Sequence, residues 1–321
     1  MHLLQGGRLA EGIPSPTAVA IGMFDGVHCG HQALIRRAMA IASDRGLVPL
    51  VLTLDRHPDE VLRPDRARPY LTTLPEKLAL IRALGISLVV VARVTPAFLS
   101  IQARDFVMRS LRGELDARAV IVGRNFRFGQ GRQGDIALLT AMQKECGFTL
   151  EAVDPITADG EPISSTLIRR VLAAGEVAHA RRLLGRPYQM AGEVVSGEKI
   201  GRSLGFPTAN IAYPPQKLLP ALGVYVCQAC VEGACYGAAV NVGRRPTFDG
   251  TRITVEAHLL GFEGDLYGKQ LNLRFLDRLR TEEQFPTPEA LRAQIAADVA
   301  QAHELYASLA ASLETCAQSQ T

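Results

Sequence analysis

The chain has 321 residues, long enough for two domains with substantial cores. With 47% hydrophobic and 21% charged residues its composition is that of an ordinary globular protein, which excludes a disordered chain. Lys and Arg number 35 against 32 Asp and Glu, a balance that excludes a broad field for nucleic acid and leaves any polyanion to a local site. The start, Met1-His2-Leu3-Leu4-Gln5-Gly6-Gly7, lacks a basic segment followed by an apolar one, so no export signal is expected. No apolar run approaches a membrane span, and the expected location is the cytoplasm.

The first half alternates strand-like and helical patterns. Strands are expected at 17–21, 48–53, 87–92, 119–123 and 148–153, and helices near 31–45, 75–84, 103–112, 135–146 and 166–184. Such alternation predicts an α/β domain: a parallel sheet with helices on both faces and ligands at the carboxyl ends of the strands. After Gly185-Arg186-Pro187 the pattern turns to short strands at about 189–196, 208–212, 223–231, 234–241, 252–261 and 270–279, with Glu232-Gly233 as a tight hairpin turn. Strands without intervening helices predict a small β-barrel. Leu291, Ile295, Val299 and Leu305 then mark one apolar stripe of a terminal helix. The two domains are accordingly placed at 1–185 and 186–321.

Six cysteines are scattered: Cys29, Cys146, Cys227, Cys230, Cys235 and Cys316. Cys227 and Cys230 match C-x-x-C, but they fall in a strand-like segment, where positions three apart face opposite sides. Free buried thiols are expected.

Gly22-Met23-Phe24-Asp25-Gly26-Val27-His28-Cys29-Gly30-His31 is the most informative stretch. It follows the apolar run Ala18–Ile21 and precedes a helix with Leu34, Ile35, Ala38, Ile41 and Ala42 on one face. A strand, a glycine-punctuated turn and a helix N-terminus together form an anion site. His28 and His31, three apart, lie on one side of the helix start and can both donate N–H to that anion. The predicted chemistry is nucleotide phosphate handling. The turn matches neither the dinucleotide fingerprint nor the P-loop. Two capping histidines are the plain alternative, and a metal site lacks a third ligand nearby.

Two further segments of the first domain suit a nucleotide. Val122-Gly123-Arg124-Asn125-Phe126-Arg127-Phe128-Gly129 leaves a strand with two arginines, an amide and aromatics, with a solvated turn as the alternative. Ile163-Ser164-Ser165-Thr166-Leu167-Ile168-Arg169 sets three hydroxyls at a helix start, where they cap the helix and can also grip a phosphate. Arg169, about one turn in, adds charge.

In the second half, Gly201-Arg202-Ser203-Leu204-Gly205-Phe206-Pro207-Thr208-Ala209-Asn210 stands out. If the chain stays extended after Pro207, Thr208 and Asn210 face one side. A hydroxyl and an amide oxygen side by side suit Mg²⁺ carrying nucleotide phosphates. The loop before them offers Lys199 and Arg202, and a glycine-rich turn before a polar edge strand is the alternative. In Thr254-Val255-Glu256-Ala257-His258, Glu256 and His258 share the face opposite Val255 and Ala257; a solvent-facing strand Glu is the ordinary reading.

The G-x-F-D-G-x-H-x-G-H arrangement resembles the bacterial bifunctional riboflavin kinase/FMN adenylyltransferases (FAD synthetases), and so does nearly the whole chain. The likeness runs through Val122–Gly129, Ile163–Arg169, Leu183–Tyr188, the Phe206–Asn210 motif, Asn241–Phe248 and the Val-Glu-x-His segment at 255–258. It implies a Rossmann-like nucleotidyltransferase domain followed by a six-stranded antiparallel riboflavin kinase barrel with a terminal helix. It also implies ATP with Mg²⁺, and riboflavin, FMN and FAD as ligands; no nucleic-acid or membrane partner is expected, and a homo-oligomer is left open. By this resemblance His28 and His31 contact the ATP phosphates, in a binding turn that includes Gly22, Phe24 and Asp25. Ser164, Ser165, Thr166 and Arg169 form a phosphate-gripping segment, and Asn125 lies at the nucleotide–flavin junction. In the second domain Gly201 and Arg202 bind ATP, Thr208 and Asn210 hold the metal, and Glu256 is the base. The chain departs from the family at Leu54-Asp55-Arg56-His57-Pro58, where Phe-x-Pro-His-Pro is usual. It departs also at Cys29, where Arg or another longer side chain is common, and at Gly261, where an acid is.

The two implied reactions ask for different groups. The phosphate of FMN is already ionised near pH 7, its second pKa being about 6, so its adenylylation needs alignment and charge neutralisation but no base. The hydroxyl of riboflavin is neutral and is helped by a base. Two other readings are an adenylyltransferase for another phosphorylated acceptor and a non-catalytic flavin- or nucleotide-binding regulator. The Phe206–Asn210 motif argues against the first, and intact candidates at both sites argue against the second.

Overall fold

The computed structural model describes residues 2–5, 8–9, 13, 16–66, 68–197, 201, 204–247 and 250–318. They fold as two compact units, Met1–Ser165 and Thr166–Thr321. In the first unit the strands are β1 (His2–Gln5), β2 (Arg8–Leu9), β3 (Thr17–Ile21), β4 (Val48–Leu54), β5 (Leu88–Ala92), β6 (Ala117–Gly123) and β7 (Thr149–Val153). They form one sheet in the order β2-β1-β5-β4-β3-β6-β7, parallel throughout except for β1 with β2. The five expected strands are β3 to β7, and β1 and β2 add a short edge. Strand order reverses at β3, so a crevice opens at the carboxyl ends of β3 and β6.

Strand β3 is buried on both faces, and its residues alternate between two cores. Ala18 and Ala20 pack with Phe24, Val27, Leu34, Ile35 and Ala38, which seats helix α1 (Cys29–Arg45) on one face. Val19 and Ile21 pack on the other face with Phe106, Leu111, Leu139 and Met142. The remaining helices of this unit are α2 (Asp59–Leu62), α3 (Leu74–Ala83), α4 (Pro96–Leu99), α5 (Ala103–Asp105) and α6 (Ile136–Cys146). Helix α5 runs on as a wider π-helical segment, Phe106–Glu114. A two-stranded hairpin, β8 (Thr157–Ala158) with β9 (Glu161–Pro162), precedes the next helix.

The single helix expected over 166–184 is two helices, α7 (Ser165–Ala173) and α8 (Val177–Leu184). Gly175 takes φ +81° between them, and Arg278 fills the space beside it: its Nη1 donates to Ala174 O at 3.1 Å. A Cβ on Gly175 would lie 2.5 Å from that Nη1. These helices pack within the second unit, with Ala221 N donating to Leu172 O and α8 lying against the barrel. The change of pattern at 185–188 is thus a change of secondary structure, whereas packing divides the chain at 165.

The barrel strands are β10 (Tyr188–Val195), β11 (Ala209–Ala212), β12 (Gly223–Val231), β13 (Ala234–Thr247), β14 (Gly250–Leu259) and β15 (Gln270–Thr281). They close in the order β10-β11-β14-β13-β12-β15, all neighbours antiparallel. Glu232 and Gly233 make the expected two-residue turn, both with positive φ (50° and 86°), as the twist of a hairpin requires. That turn sets Cys230 directly opposite Cys235, and the two form a disulfide, which corrects the expectation of free thiols at these positions. Cys227 is a buried free thiol whose pKa burial pushes well up, and Cys29 and Cys146 are also free. Helix α9 (Pro288–Gln318) lays Val299, Ala302, Leu305 and Tyr306 against Val226, Ala239 and Leu276.

Barrel closure depends on close backbone approach between β10 and β11, where a Cβ on Gly192 would meet Ala212 O at 2.1 Å. Gly192→Ala should therefore lower stability by about 1–3 kcal/mol, the usual cost of overpacking, measured by denaturant unfolding. An unchanged midpoint would contradict the approach.

Candidate active sites

The turn between β3 and α1 has an unusual backbone. Phe24, Gly26 and Val27 all have positive φ (52°, 83° and 40°). For Phe and a β-branched Val this is strained, at about 1–3 kcal/mol each, and it persists only where the surroundings over-determine it. Here they do. Phe24 is wholly buried in the core beneath α1. The Asp25 carboxylate is 3% exposed and accepts from Leu71 N (3.2 Å), Thr72 N (3.0 Å) and the Thr72 hydroxyl (3.2 Å). Gly26 N donates in turn to Thr72 Oγ1 at 3.0 Å. The Asp25 carbonyl accepts from Ser165 Oγ at 2.9 Å, and the Met23 carbonyl accepts from Thr53 Oγ1 at 3.1 Å and Lys77 Nζ at 3.2 Å.

The turn delivers both histidines to one place. His28 is the N-cap of α1, and its Nδ1 accepts from His31 N at 3.3 Å, which leaves the ring proton on Nε2. The two imidazoles stack with centroids 3.6 Å apart, and the Phe24 ring stands edge-on to His31 at 5.2 Å. Gly22 lies over the Phe24 ring, where a Cβ would come within 3.1 Å. Of the motif residues, then, Phe24 and Asp25 shape the turn from behind, while the histidines and the helix N-terminus present N–H groups. Cys29, half-buried, is the first residue of α1.

Ser164 directly precedes α7 and Ser165 opens it; Thr166 and Arg169 follow on that helix in the second unit. Asn125 is exposed just after β6, in the loop at the crevice. The arginines of that loop each have an acid partner, Arg124 with Asp154 and Arg127 with Asp135 at 2.8 Å. At the family departure, Asp55 accepts from Val94 N at 2.8 Å and Arg56 pairs with Asp55 at 3.4 Å.

In the second unit, strand pairing assembles a separate cluster. Asn210 on β11 lies directly across from Glu256 on β14. Thr208 Oγ1 donates to Glu256 Oε2 at 3.4 Å, and Arg245 Nη2 donates to Glu256 Oε1 at 3.1 Å. His258 donates from Nδ1 to Pro207 O at 2.9 Å and stands edge-on to Phe206, which holds the extended segment in place. A Cβ on Gly197 would fall 2.3 Å from the Asn210 amide, so only glycine admits this approach. Gly201 accepts from Phe206 N at 2.8 Å and closes the loop before Thr208. Lys199 and Arg202 lie outside the described residues. Gly201, Thr208, Arg245, Glu256 and His258 line a cleft of about 240 Å³ whose other wall is Leu291, Ile295 and Val299 of α9. Arg280 and Asp298 also line it as a bidentate pair (2.9 and 2.8 Å), the aspartate buried and the arginine half-buried.

Sequence reasoning missed Lys77, Thr72 and the Arg280–Asp298 pair. The available signal was a polar residue on an apolar face: Lys77 stands one turn from Ile81, and Asp298 adjoins Val299 in the terminal stripe.

Two family models match in tandem: FAD synthetase over residues 11–167 and riboflavin kinase over 184–306. Bifunctional riboflavin kinase/FMN adenylyltransferases of Haemophilus influenzae and Escherichia coli are 34% and 35% identical, each covering 95% of this chain and 99% or 98% of their own. That of Pseudomonas fluorescens is 38% identical over 89% of this chain and 92% of its own. This chain belongs to the bifunctional riboflavin kinase/FMN adenylyltransferase family. The enzyme is a transferase with one domain of each kind. A crystal structure described as a macrolide-efflux protein of Streptococcus pneumoniae shares its fold, with a TM-score of 0.83 and 30% identity over 90% of this chain and 94% of that one. Among the described residues of the enzyme no helix is long and apolar enough to cross a membrane.

ATP-using domains of these two kinds generally need a divalent cation. The Thr208 hydroxyl and the Asn210 amide oxygen are hard oxygen donors of the kind that suit such an ion, and they lie beside the Glu256 carboxylate. No group of three His, Cys, Asp or Glu residues suited to a metal occurs among the described residues.

Removing the Asp25 carboxylate orphans the Leu71 and Thr72 amides. Asp25→Ala should destabilise the first unit by about 1–3 kcal/mol per orphaned buried donor and reduce FAD formation. Denaturant unfolding and product assays check this, with riboflavin phosphorylation by the second unit expected to persist.

Proposed function

We infer that this chain makes FAD from riboflavin in two steps on two sites. The barrel phosphorylates riboflavin with ATP to FMN; the α/β domain then joins FMN to AMP from a second ATP and releases pyrophosphate. The observation that carries this reading is that one chain holds both a stacked histidine pair at a helix N-terminus and a cleft lined by Thr208 and Glu256 with Asn210 paired across from Glu256, each suited to one of the steps.

In the kinase step Glu256 accepts the proton of the riboflavin hydroxyl, whose oxygen bonds to the γ-phosphorus of ATP as the bond to the departing ADP breaks. Arg245 and Thr208 aim its carboxylate, one against each oxygen. Thr208 and Asn210 are assigned to hold Mg²⁺, which when bound neutralises phosphate charge. The loop with Gly201 and Arg202 is assigned to the ATP phosphates.

In the adenylyl step the nucleophile is a phosphate oxygen of FMN, and no proton has to leave it. It attacks the α-phosphate of ATP and the bond to pyrophosphate breaks. The Nε2–H of His28, His31 and the N-terminus of α1 stabilise the charge that develops. Gly22 permits close approach, and Phe24 and Asp25 keep the turn in shape. Ser164, Ser165, Thr166 and Arg169 are assigned to gripping phosphate, and Asn125 to the nucleotide–flavin junction. With that segment, residues 1–185 are assigned to adenylyl transfer and 186–321 to the kinase. A cytoplasmic setting, where ATP and riboflavin meet, completes the reading.

With riboflavin, ATP and Mg²⁺, chromatography over time should show FMN first and FAD after it. His28→Ala or His31→Ala should lower FAD formation about 10²–10³-fold and leave FMN formation intact. Glu256→Ala or Asn210→Ala should lower FMN formation about 10²-fold or more, while supplied FMN is still adenylylated. A single one of these substitutions that abolished both steps in a folded protein would overturn the two-site reading.

A further inference from the structure

Lys77 is the buried cation that the chemistry above leaves unused. It sits in α3, just after the capping box of Thr73 and Glu76, and is 3% exposed. A buried ammonium is unfavourable unless hydrogen-bonded and paired with opposite charge. Its Nζ donates to Leu54 O at 2.7 Å and to Met23 O at 3.2 Å. The two carbonyls come from different strand ends. Leu54 closes β4, and Met23 opens the strained turn after β3.

We propose that Lys77 is a positioning residue for adenylyl transfer: it ties the Met23 carbonyl to the Leu54 carbonyl and so holds the turn bearing His28 and His31 in its reactive shape. The proposal rests on reading that turn as the adenylyl site. Each part of the turn has its own anchor. Asp25 binds its middle to Leu71 and Thr72, and His28 caps its far end on α1. At its near end Met23 O has two donors, Thr53 and Lys77. Thr53 belongs to β4 itself, whereas Lys77 brings α3 against both strand ends. Without it Leu54 O loses a donor at the point where the segment 55–58 begins, and the turn loses its tie to α3. A displacement of about 1 Å at reacting groups is enough to cost about 10²-fold in rate.

Charge belongs to the device. Asp25 from the turn and Asp55 from the end of β4 favour the ammonium, but burial outweighs them and lowers the pKa to about 8. On its own helix Glu76 is engaged with Thr73 N at 2.7 Å. As pH rises through about 8, Lys77 loses its charge, one of its three N–H donors and its attraction to both aspartates. The turn then loosens, and adenylyl transfer falls while the kinase in the same chain does not.

The test uses the full chain as Lys77→Met, Lys77→Arg and His28→Ala. FMN adenylylation and riboflavin phosphorylation are each followed between about pH 6 and 10. Lys77→Met should lower kcat for FAD formation about 10–100-fold, with KM for ATP and FMN changed less than about threefold and riboflavin phosphorylation unaltered. In Lys77→Arg, whose guanidinium stays charged, the basic fall near pH 8 should disappear. A Lys77→Met enzyme within about twofold of the parent kcat would overturn the proposal. A basic fall that persists unchanged in Lys77→Arg would do so too, and this profile decides alone if Lys77→Met fails to fold. His28→Ala with FAD formation intact would remove the reading of the turn itself. Loss in His28→Ala without loss in Lys77→Met would remove only the role of Lys77.

Discussion

In the first unit, the turn proposed for adenylyl transfer holds a few residues between β3 and α1 in a backbone that their own side chains disfavour. Phe24 and Val27 at positive φ would relax in an isolated peptide. They stay because the turn is anchored from behind: Phe24 in the apolar core, Asp25 on two amides and a hydroxyl, Met23 on a hydroxyl and an ammonium. None of these anchors has to meet a ligand. They fix the start of α1 and the stacked imidazoles in one arrangement by the protein's own contacts. That is the preorganisation from which electrostatic catalysis draws its effect.

The second unit solves the same problem by register. Asn210 opposes Glu256 because β11 and β14 pair as they do, and a slip of one residue would turn Glu256 to the other face of the sheet. Closure of the barrel removes that freedom, since every strand has two neighbours. Glycines at 192 and 197 admit the backbone approaches on which this closure and the loop before Thr208 rely. Rigidity here comes from the ladder, and the side chains are free to be chosen for chemistry.

What was legible in the sequence follows from this difference. Strands β3 and β5 are wholly buried runs and read directly as such, and a barrel strand such as β10 alternates along its length. The His28–His31 and Thr208–Asn210 pairs were legible because spacing alone puts each on a common face, whereas Glu256 was legible only through the family resemblance. The break at Gly175 was not, since it is set by Arg278, about a hundred residues away in sequence. Nor was the Cys230–Cys235 disulfide: C-x-x-C draws the eye to Cys227, whereas the partner is fixed by a two-residue turn. Lys77 and Asp298 were missed for a related reason. A charged residue reads as surface, and only packing shows that carbonyls or an arginine wait for it inside.

The two sites also differ in kind because their nucleophiles do. A phosphate that is already ionised needs donors and no acceptor, and the turn proposed for that step has imidazoles and a helix N-terminus with its one motif carboxylate, Asp25, turned inward onto Leu71 and Thr72. A carboxylate left facing the phosphates would repel them, so burying Asp25 removes a like charge as well as anchoring the turn. A neutral alcohol needs an acceptor, and the barrel places a half-buried carboxylate in its cleft, with Arg245 against one oxygen and Thr208 against the other. Arg245 there fixes one oxygen of Glu256 at 3.1 Å, while Lys77 in the first unit donates to two backbone carbonyls. In both, the cation acts on the geometry of an anion or a carbonyl and leaves bond-making to its neighbours.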